Sequence, residues 1–422
     1  MIRRTLLALP LLALGAACSA QPSPEATAAA NASASAPAPG ATPAASARAN
    51  LPPQSQLPFQ VATIGQFDAP FAMNFLPSGD LLVTEKAGHL RMRRPNGAVQ
   101  DVSGVPQVAS GGQGGLLDVI AAPDFANSHA LYLTYAEPAG SGSQLAMARA
   151  TLEGAALRGL QVLWRSGSAG QGGQFGAVIA FAPDGKSLFL SSGERQRFTP
   201  AQDPNQALGK ILHLDLDGKP WPGNPQAGKT GAAEITVTDP PEDTVAAKTA
   251  PGRRVPARQP NTTPAETWST GHRNPYGLAF DAGGRLWEVE MGPKGGDELN
   301  VILPGRNYGW PNVSNGDNYD GKPIPDHKPG DGYEPPKLWW NPSISPGGMM
   351  IYSGGMFPQW RGNAFIAALS GEALIRVALQ GDRAAPGDQW AMGERIRDVV
   401  QAPDGAILLL QDDGKLLRLT PR

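Results

Sequence analysis

Three polar runs follow one another closely in the second half of the chain: Gly271-His272-Arg273-Asn274-Pro275-Tyr276-Gly277-Leu278, Glu290-Met291-Gly292-Pro293-Lys294-Gly295-Gly296-Asp297-Glu298-Leu299-Asn300, and Gly305-Arg306-Asn307-Tyr308-Gly309-Trp310-Pro311. His-Arg-Asn ahead of a proline sets three polar side chains on a rigid turn, and the arginine offers a bidentate fork to a carboxylate. The Gly292-Pro293 turn exposes backbone carbonyls, and Asp297 and Glu298 beside it add hard oxygen ligands of the kind Ca2+ takes. An acidic pair that is merely solvated reads the same way, so these residues alone leave calcium as one of two readings.

Composition narrows the elements that can position such groups. The 422 residues include 52 glycines and 42 prolines, close to double the roughly 12% share of an average chain. That argues against a helical protein. Charged residues make up 17% and the apolar set 41%, enough for a large core and too apolar for a disordered tail or a coiled coil. A formal net charge of −2 gives no footprint for a polyanion, so nucleic acid is not an expected partner. One cysteine and five histidines exclude a zinc cluster or a disulfide framework.

That one cysteine belongs to an address. Residues 1–20 read as an export signal, with Arg3 and Arg4 as the basic start, Leu6 to Leu14 as a short apolar run and Gly15-Ala16-Ala17 before Cys18,. The run is too short to span a bilayer. Small residues before Cys18 resemble a bacterial lipoprotein signal, which would make Cys18 a lipid anchor to a membrane; cleavage near Ala20 would discard it. Either way the product is expected to be exported, periplasmic or membrane-tethered. Residues 21–57 are Ala, Pro and Ser with almost no large apolar side chain, and read as a disordered tether,.

From residue 58 to 422 a phrase recurs: a small turn with glycine, then a hydrophobic strand. It appears as Pro77-Ser78-Gly79 before Leu81-Leu82-Val83, Pro183-Asp184-Gly185 before Leu188-Phe189-Leu190, Ala282-Gly283-Gly284 before Leu286-Trp287, and Pro403-Asp404-Gly405 before Ile407-Leu408-Leu409. Weaker copies start at Pro123 and Arg361. Six copies in this region average about 60 residues per unit, unevenly spaced with the widest gap from Pro183 to Ala282, and match four-stranded blades with generous loops,. The expected fold is therefore all-β, a six-bladed β-propeller. The stretch from 218 to 266 is polar and rich in Pro, Gly and Thr, and is expected to be a loop insertion.

Taken together, the three polar runs resemble the soluble PQQ-dependent glucose/sorbosone (aldose sugar) dehydrogenase family, six-bladed propellers that hold pyrroloquinoline quinone over a calcium ion. Further matches are Gly111-Gly112-Gln113-Gly114-Gly115-Leu116-Leu117, Gly209-Lys210-Ile211-Leu212, Ser345-Pro346-Gly347-Gly348-Met349 and Glu394-Arg395-Ile396-Arg397-Asp398-Val399. The resemblance implies that Gln113, Arg273 and Asn274 contact the quinone, that Arg395 and Arg397 meet its carboxylates, and that the carbonyls of Gly292 and Pro293 ligate Ca2+. It further implies a second calcium site using Asp297, Glu298 and Tyr308. The reaction implied is oxidation of a sugar or related alcohol to a lactone or ketone, with electrons leaving to an unidentified acceptor.

One departure bears on the chemistry. Where the family carries a proton-abstracting His in a His-x-Gly-x-Arg string, this chain reads Gln174-Phe175-Gly176-Ala177-Val178. Gln is no general base, Val178 replaces the Arg, and Ser370 stands near a cofactor-binding Lys of some members. His89 and His213 lie in strand-like runs, His129 by a blade turn and His327 in a polar loop, while His272 reads as a turn residue. Glu194 in the next loop is the alternative base. A catalytically weak or inactive propeller acting as a binding or scaffold protein therefore stays open, as does a metal-dependent lactone hydrolase on the same fold.

Overall fold

The computed structural model describes residues 46–239 and 251–422; the signal and Cys18 readings, and most of the tether, lie outside the described residues. Six sheets follow one another along the chain, each with four antiparallel strands, and one of them carries a fifth, parallel strand at its edge. Blade 1 comprises Pro70–Phe75, Leu81–Glu85, His89–Arg93 and Val99–Val102. Blade 2 comprises Leu116–Ala121, Ala130–Ala139, Gly142–Glu153 and Ala156–Arg165. Blade 3 comprises Gly176–Phe181, Ser187–Ser192, Lys210–Asp215 and Thr267–Thr270, and blade 4 Pro275–Phe280, Leu286–Glu290, Asp297–Val301 and Leu338–Trp340. Blade 5 comprises Pro346–Ile351, Ala364–Ala368, Ala373–Gln380 and Arg383–Ala391. Blade 6 takes Ile396–Gln401, Ile407–Gln411 and Lys415–Pro421 from the C-terminus and its outer strand, Phe59–Gln66, from the other end of the fold. The protein is a six-bladed β-propeller.

All six turn phrases fall in one place, between the first and second strands of a blade. The wide gap between the third and fourth copies is filled in blade 3, where an extra hairpin, Glu234–Val237 with Arg253–Pro256, interrupts the route to the fourth strand. The core is divided among wedges between adjacent blades. Leu82, Leu116, Leu131 and Leu133 fill the wedge between blades 1 and 2, Trp287, Trp340, Ile366 and Ile375 that between 4 and 5, and Val83, Leu408, Leu410 and Leu416 that between 6 and 1.

Each innermost strand carries a β-bulge where it begins against its second strand, which bends it toward the axis. In three blades a hydroxyl of the second strand sits in the bulge and ties it to the next blade. Thr84 Oγ1 accepts from Ala72 N and donates to Leu117 O (3.0 and 2.6 Å), and Thr134 and Ser191 do the same toward Ala177 O and Pro275 O.

The expectation of a tether through residue 57 is corrected at its end. Ala47–Arg48 pairs in parallel with Leu338–Trp339 at the edge of blade 4, Ala49 is buried in the wedge there, and Gln54 bridges to Trp390 of blade 5. A strand edge offers unpaired N–H and C=O groups to any extended segment, so small residues can dock without a large apolar side chain. Among the described residues no helix is long and apolar enough to cross a membrane.

The innermost strands surround a channel cavity of about 330 Å3. Asp118 and Asp398 line it, each accepting the inner-strand N–H of the next blade, from Ile179 and Met73 (2.8 and 2.9 Å). Burial pushes the Asp118 carboxyl up to about 6 and that of Asp398 up to about 7, the latter with help from the Asp118 charge. The folded chain thus holds protons that the unfolded chain, with carboxyls near the usual 3.9, has already lost. These two groups make stability fall as pH rises from about 4 through about 7,. Denaturant unfolding across that range should show this slope, and Asp398→Asn should flatten it whatever the variant does to absolute stability.

Candidate active site

Antiparallel pairing brings the start of every first strand and the end of every second strand to the same rim of the propeller. Gln113 precedes the first strand of blade 2, Gln174 that of blade 3, Arg273 and Asn274 that of blade 4, and Arg395 and Arg397 flank the start of blade 6. Lys86, Glu194, Met291 with Gly292, and Asp412 follow the second strands of blades 1, 3, 4 and 6.

Four of the expected residues meet directly. Gln113 Oε1 accepts from Gln174 N (2.7 Å). With its amide oxygen turned to Arg273, Gln174 accepts from Nη2 (2.8 Å) and donates through nitrogen to Glu194. Arg273 Nη1 donates to Met291 O (3.1 Å) and Gly292 O (2.5 Å). Its guanidinium lies 5.2 Å from the Trp310 ring centroid, and Nη2 reaches the Tyr319 hydroxyl (3.3 Å). Glu194 is fully buried, accepts from Gln196 N (3.0 Å) and Phe198 N, and is pushed up by burial against the lowering pull of Arg273. Backbone strain gathers here as well: Gln174, Ala177, Arg195, Gln196 and Phe198 all hold positive φ without being glycine, which costs roughly 1–3 kcal/mol apiece and persists only where surrounding contacts enforce it.

Arg395 and Arg397 line an adjoining cavity of about 190 Å3 together with Lys86, Gln113, Tyr276 and Ser345. Both arginines bind one carboxylate, Asp412, at 2.7 and 2.8 Å; despite burial, their hydrogen bonds hold it below the usual range. Lys86 donates to Gly112 O (2.6 Å), and burial, then the nearby Arg397, lowers its affinity for a proton. Three cations against one anion leave the cavity a net attraction for negative charge.

Other expected residues are committed to other contacts, although Glu298 and Tyr308 line a small pocket together with Arg273 and Gly292. Asn274 is turned inward, accepting from Gly176 N (3.2 Å) and pointing its nitrogen at Met291 Sδ. Asp297 and Glu298 neighbour each other on a strand and so face opposite ways. Asp297 is used as a backbone staple, accepting from Gly292, Ile344 and Ser345 N–H groups (2.8, 2.7 and 2.7 Å), and burial pushes it up to about 6. Glu298 joins Glu288, Glu290, His272 and Asn300 in a buried polar ladder behind Arg273. Tyr308 donates its hydroxyl to Val301 O and stacks on His272, so its phenol does not reach Asp297. His272 lies in the turn between blades 3 and 4 and is fully buried there, its ring bonded to Ser269 and Glu290. Ser370 bonds to Ser345 Oγ (2.8 Å).

Sequence reading missed Lys86, Asp412 and the glutamate ladder. The ladder had a signal, since Glu288-x-Glu290 and Glu298-x-Asn300 alternate on otherwise apolar strands and therefore share one buried face,. Lys86 had none, lying in an ordinary strand-end turn.

The family model for glucose/sorbosone dehydrogenase matches residues 67–238 and 248–418. The chain belongs to that family. Sequence comparison finds it 34% identical over 372 residues to the aldose sugar dehydrogenase YliI of Escherichia coli (strain K12), covering 85% of this chain and 91% of the relative. The structure of the soluble aldose sugar dehydrogenase of Escherichia coli in its apo-form superposes with a TM-score of 0.75 at 33% identity, covering 86% of this chain and all of that one. The PQQ-bound form of an aldose sugar dehydrogenase from Streptomyces coelicolor superposes at 0.64 and 27% identity, covering 88% and 100%. Membership makes the chain one of the sugar oxidoreductases.

Glu194 anchors the strained loop beneath Gln174. Glu194→Ala leaves two backbone N–H groups and the Gln174 amide without their partner, and should cost more than about 2 kcal/mol. Chemical denaturation checks this against Lys415→Ala, which breaks only a surface pair with Asp413 and should change stability little,.

Proposed function

We propose that the chain is a quinoprotein that oxidises the C–OH group of a sugar or related alcohol to a lactone or ketone, using PQQ with Ca2+ at the rim and passing electrons to an acceptor outside this chain. The observation that carries the reading is the joining of two features: a cavity lined by Lys86, Arg395 and Arg397, and beside it a turn whose carbonyls face a cation. Support comes from the Streptomyces coelicolor relative, solved with PQQ bound. The export signal read from residues 1–20, ending at Cys18, supports a periplasmic or membrane-tethered location.

The residues present fit both groups. A multiply charged carboxylate ligand suits three cations opposed only by Asp412,. At the turn, Arg273 rests its positive charge on Gly292 O, and a Cβ at Gly292 would run into the carbonyls of Gly295 and Gly296. Such a carbonyl-rich turn suits a hard cation, with Gly292 and Pro293 as its ligands. When bound, PQQ would supply the two-electron acceptor and Ca2+ would polarise its quinone carbonyl.

The chain's own residues do the rest. Lys86, Arg395 and Arg397 would bind the carboxylates, Gln113 is held by Gln174 N at the cavity edge, and Arg273, assigned to contact the quinone, fixes the Met291-Gly292 turn and Gln174. Asn274 supports this arrangement from behind. The hydroxyl proton of the sugar needs an acceptor, and Gln174 offers an amide already committed to Arg273 and Glu194. Glu194, whose carboxyl burial pushes upward, is the base we assign. The same observation favours a second reading, a propeller that binds sugar and quinone with little turnover.

Titration of the apo-protein with PQQ, with and without Ca2+, should give a calcium-dependent spectral change and a rise in melting temperature. Arg397→Gln should weaken binding about tenfold or more, as expected for a lost charged hydrogen bond. No spectral or thermal change at micromolar PQQ overturns the quinoprotein reading. Under the second reading Gln174→His should raise kcat by roughly 10²- to 10⁴-fold, the usual span of general-base catalysis; fast wild-type turnover with a dye acceptor would instead remove that reading.

A further inference from the structure

The segment ahead of the first blade reaches the rim. Ala47 and Arg48 pair in parallel with Leu338 and Trp339, and so run toward the rim beside the outer strand of blade 4. Ala49 N donates to Trp339 O (2.8 Å), and Ala49, 4% exposed, fits the wedge between blades 4 and 5. Past the last paired residue of that outer strand, Trp340, the residues Asn341 and Pro342 open the rim loop that leads into blade 5. Arg48 and Asn50 bind the backbone groups exposed there. Asn50 Oδ1 accepts from Asn341 N (2.7 Å) while its Nδ2 donates to Pro342 O (3.0 Å), and Arg48 Nη2 donates to Asn341 O. An amide side chain can accept and donate at once, which suits it to both partners.

The loop held in this way touches both halves of the site. On one side the Asn341 side chain packs on Gly295, where a Cβ would come within 2.6 Å of it, and Ser343 Oγ accepts from Gly295 N (3.1 Å). The Gly295 carbonyl lies directly against Gly292. Ile344 N and Ser345 N donate to Asp297, the same carboxylate that accepts from Gly292 N. On the other side Ser345 lines the basic cavity and holds a φ of 51° without being glycine, a conformation that only surrounding contacts maintain. One connected path thus runs from Asn50 through Asn341, Ser343 and Asp297 to the Gly292-Pro293 turn, and through Ser345 to the cavity of Arg395 and Arg397.

We propose that residues 47–50 are a positioning strap for the cofactor site, setting the 341–345 loop and through it the spacing between the cation turn and the basic cavity. Affinity for PQQ with Ca2+ then depends on contacts made at the outer edge of blade 4, by residues that do not line the cavity. The proposal rests on the quinoprotein reading for its ligands. Covering a bare strand edge would need backbone pairing alone, whereas the side chains of Arg48 and Asn50 are both directed at the loop beyond the strand. A ligand that bridges two halves of a site binds tightly when their separation is fixed beforehand, because ordering a loop on binding is subtracted from affinity.

The test uses the full chain. Arg48 is exposed and Asn50 half-buried, so Asn50→Ala and Arg48→Ala open no core cavity, and Asn50→Asp keeps the acceptor for Asn341 N. Gln54→Ala, which loses a contact with Asp388 of blade 5 on the same segment, is the control. In the cofactor-free protein, hydrogen exchange at the amides of Asn341, Ile344, Ser345 and Gly292 should quicken about tenfold in Asn50→Ala, the effect of losing two ordinary hydrogen bonds. It should quicken less in Asn50→Asp and keep the wild-type rate in Gln54→Ala. The dissociation constant for PQQ in the presence of Ca2+ should rise about fivefold or more in Asn50→Ala and Arg48→Ala, and not in Gln54→Ala. Wild-type exchange rates in both Asn50→Ala and Arg48→Ala overturn the strap, as does quickened exchange with unchanged PQQ affinity. Quickened exchange in a protein whose wild type binds no PQQ supports the strap as the element that sets the loop, and removes the quinoprotein reading.

Discussion

Everything at the rim depends on closure of the ring, made by Phe59–Gln66 pairing with Lys415–Pro421 at the edge of blade 6. Phe59 packs edge-to-face on Trp390 at 5.3 Å, so that closure is sealed by aromatic contact between blades 5 and 6. An open row of blades would leave two bare strand edges, and it would let the inner strands splay apart. Closed, the ring forces six bulged inner strands onto one axis and sets their starting loops facing one another. Only then does Lys86 of blade 1 share a cavity with Arg395 and Arg397 of blade 6, and only then does Gln113 of blade 2 reach Gln174 of blade 3.

Within that frame the site is organised by buried polar groups that bind backbone. Arg273 caps carbonyls of the Met291-Gly292 turn, Asp297 gathers three N–H groups around it, and Arg195 clamps the carbonyls of Gly170 and Gly172. Each removes freedom from loops that would otherwise be mobile, in surroundings where an unmade hydrogen bond is expensive. The strained residues between Gln174 and Phe198 are affordable for that reason. This is preorganisation: donors and charges are in place before a ligand arrives.

Gln174 has a physical logic of its own. An amide can accept from Arg273 and donate to Glu194 at the same time,, so the position still joins two neighbours of opposite charge. What it cannot do is exchange a proton near neutral pH. The amide thereby keeps the electrostatic and positioning parts of the site in place without supplying proton chemistry of its own.

Local signals sufficed for the fold. Turn phrases such as Pro183-Asp184-Gly185 are dictated by backbone conformation and by the alternation of short apolar strands, both of which are properties of adjacent residues, and all six lie between first and second strands. The same holds for the order of Gln113, Arg273, Arg395 and Arg397 along the chain. Tertiary structure decided what each side chain faces. Asp297 and Glu298 look like one cation site in sequence, but the strand turns them to opposite faces. Asn274 and His272 read as a polar turn, but the wedge between blades 3 and 4 takes them into its interior. Lys86 had no local mark, because a cavity is made by the distance between segments far apart in sequence, which only ring closure sets.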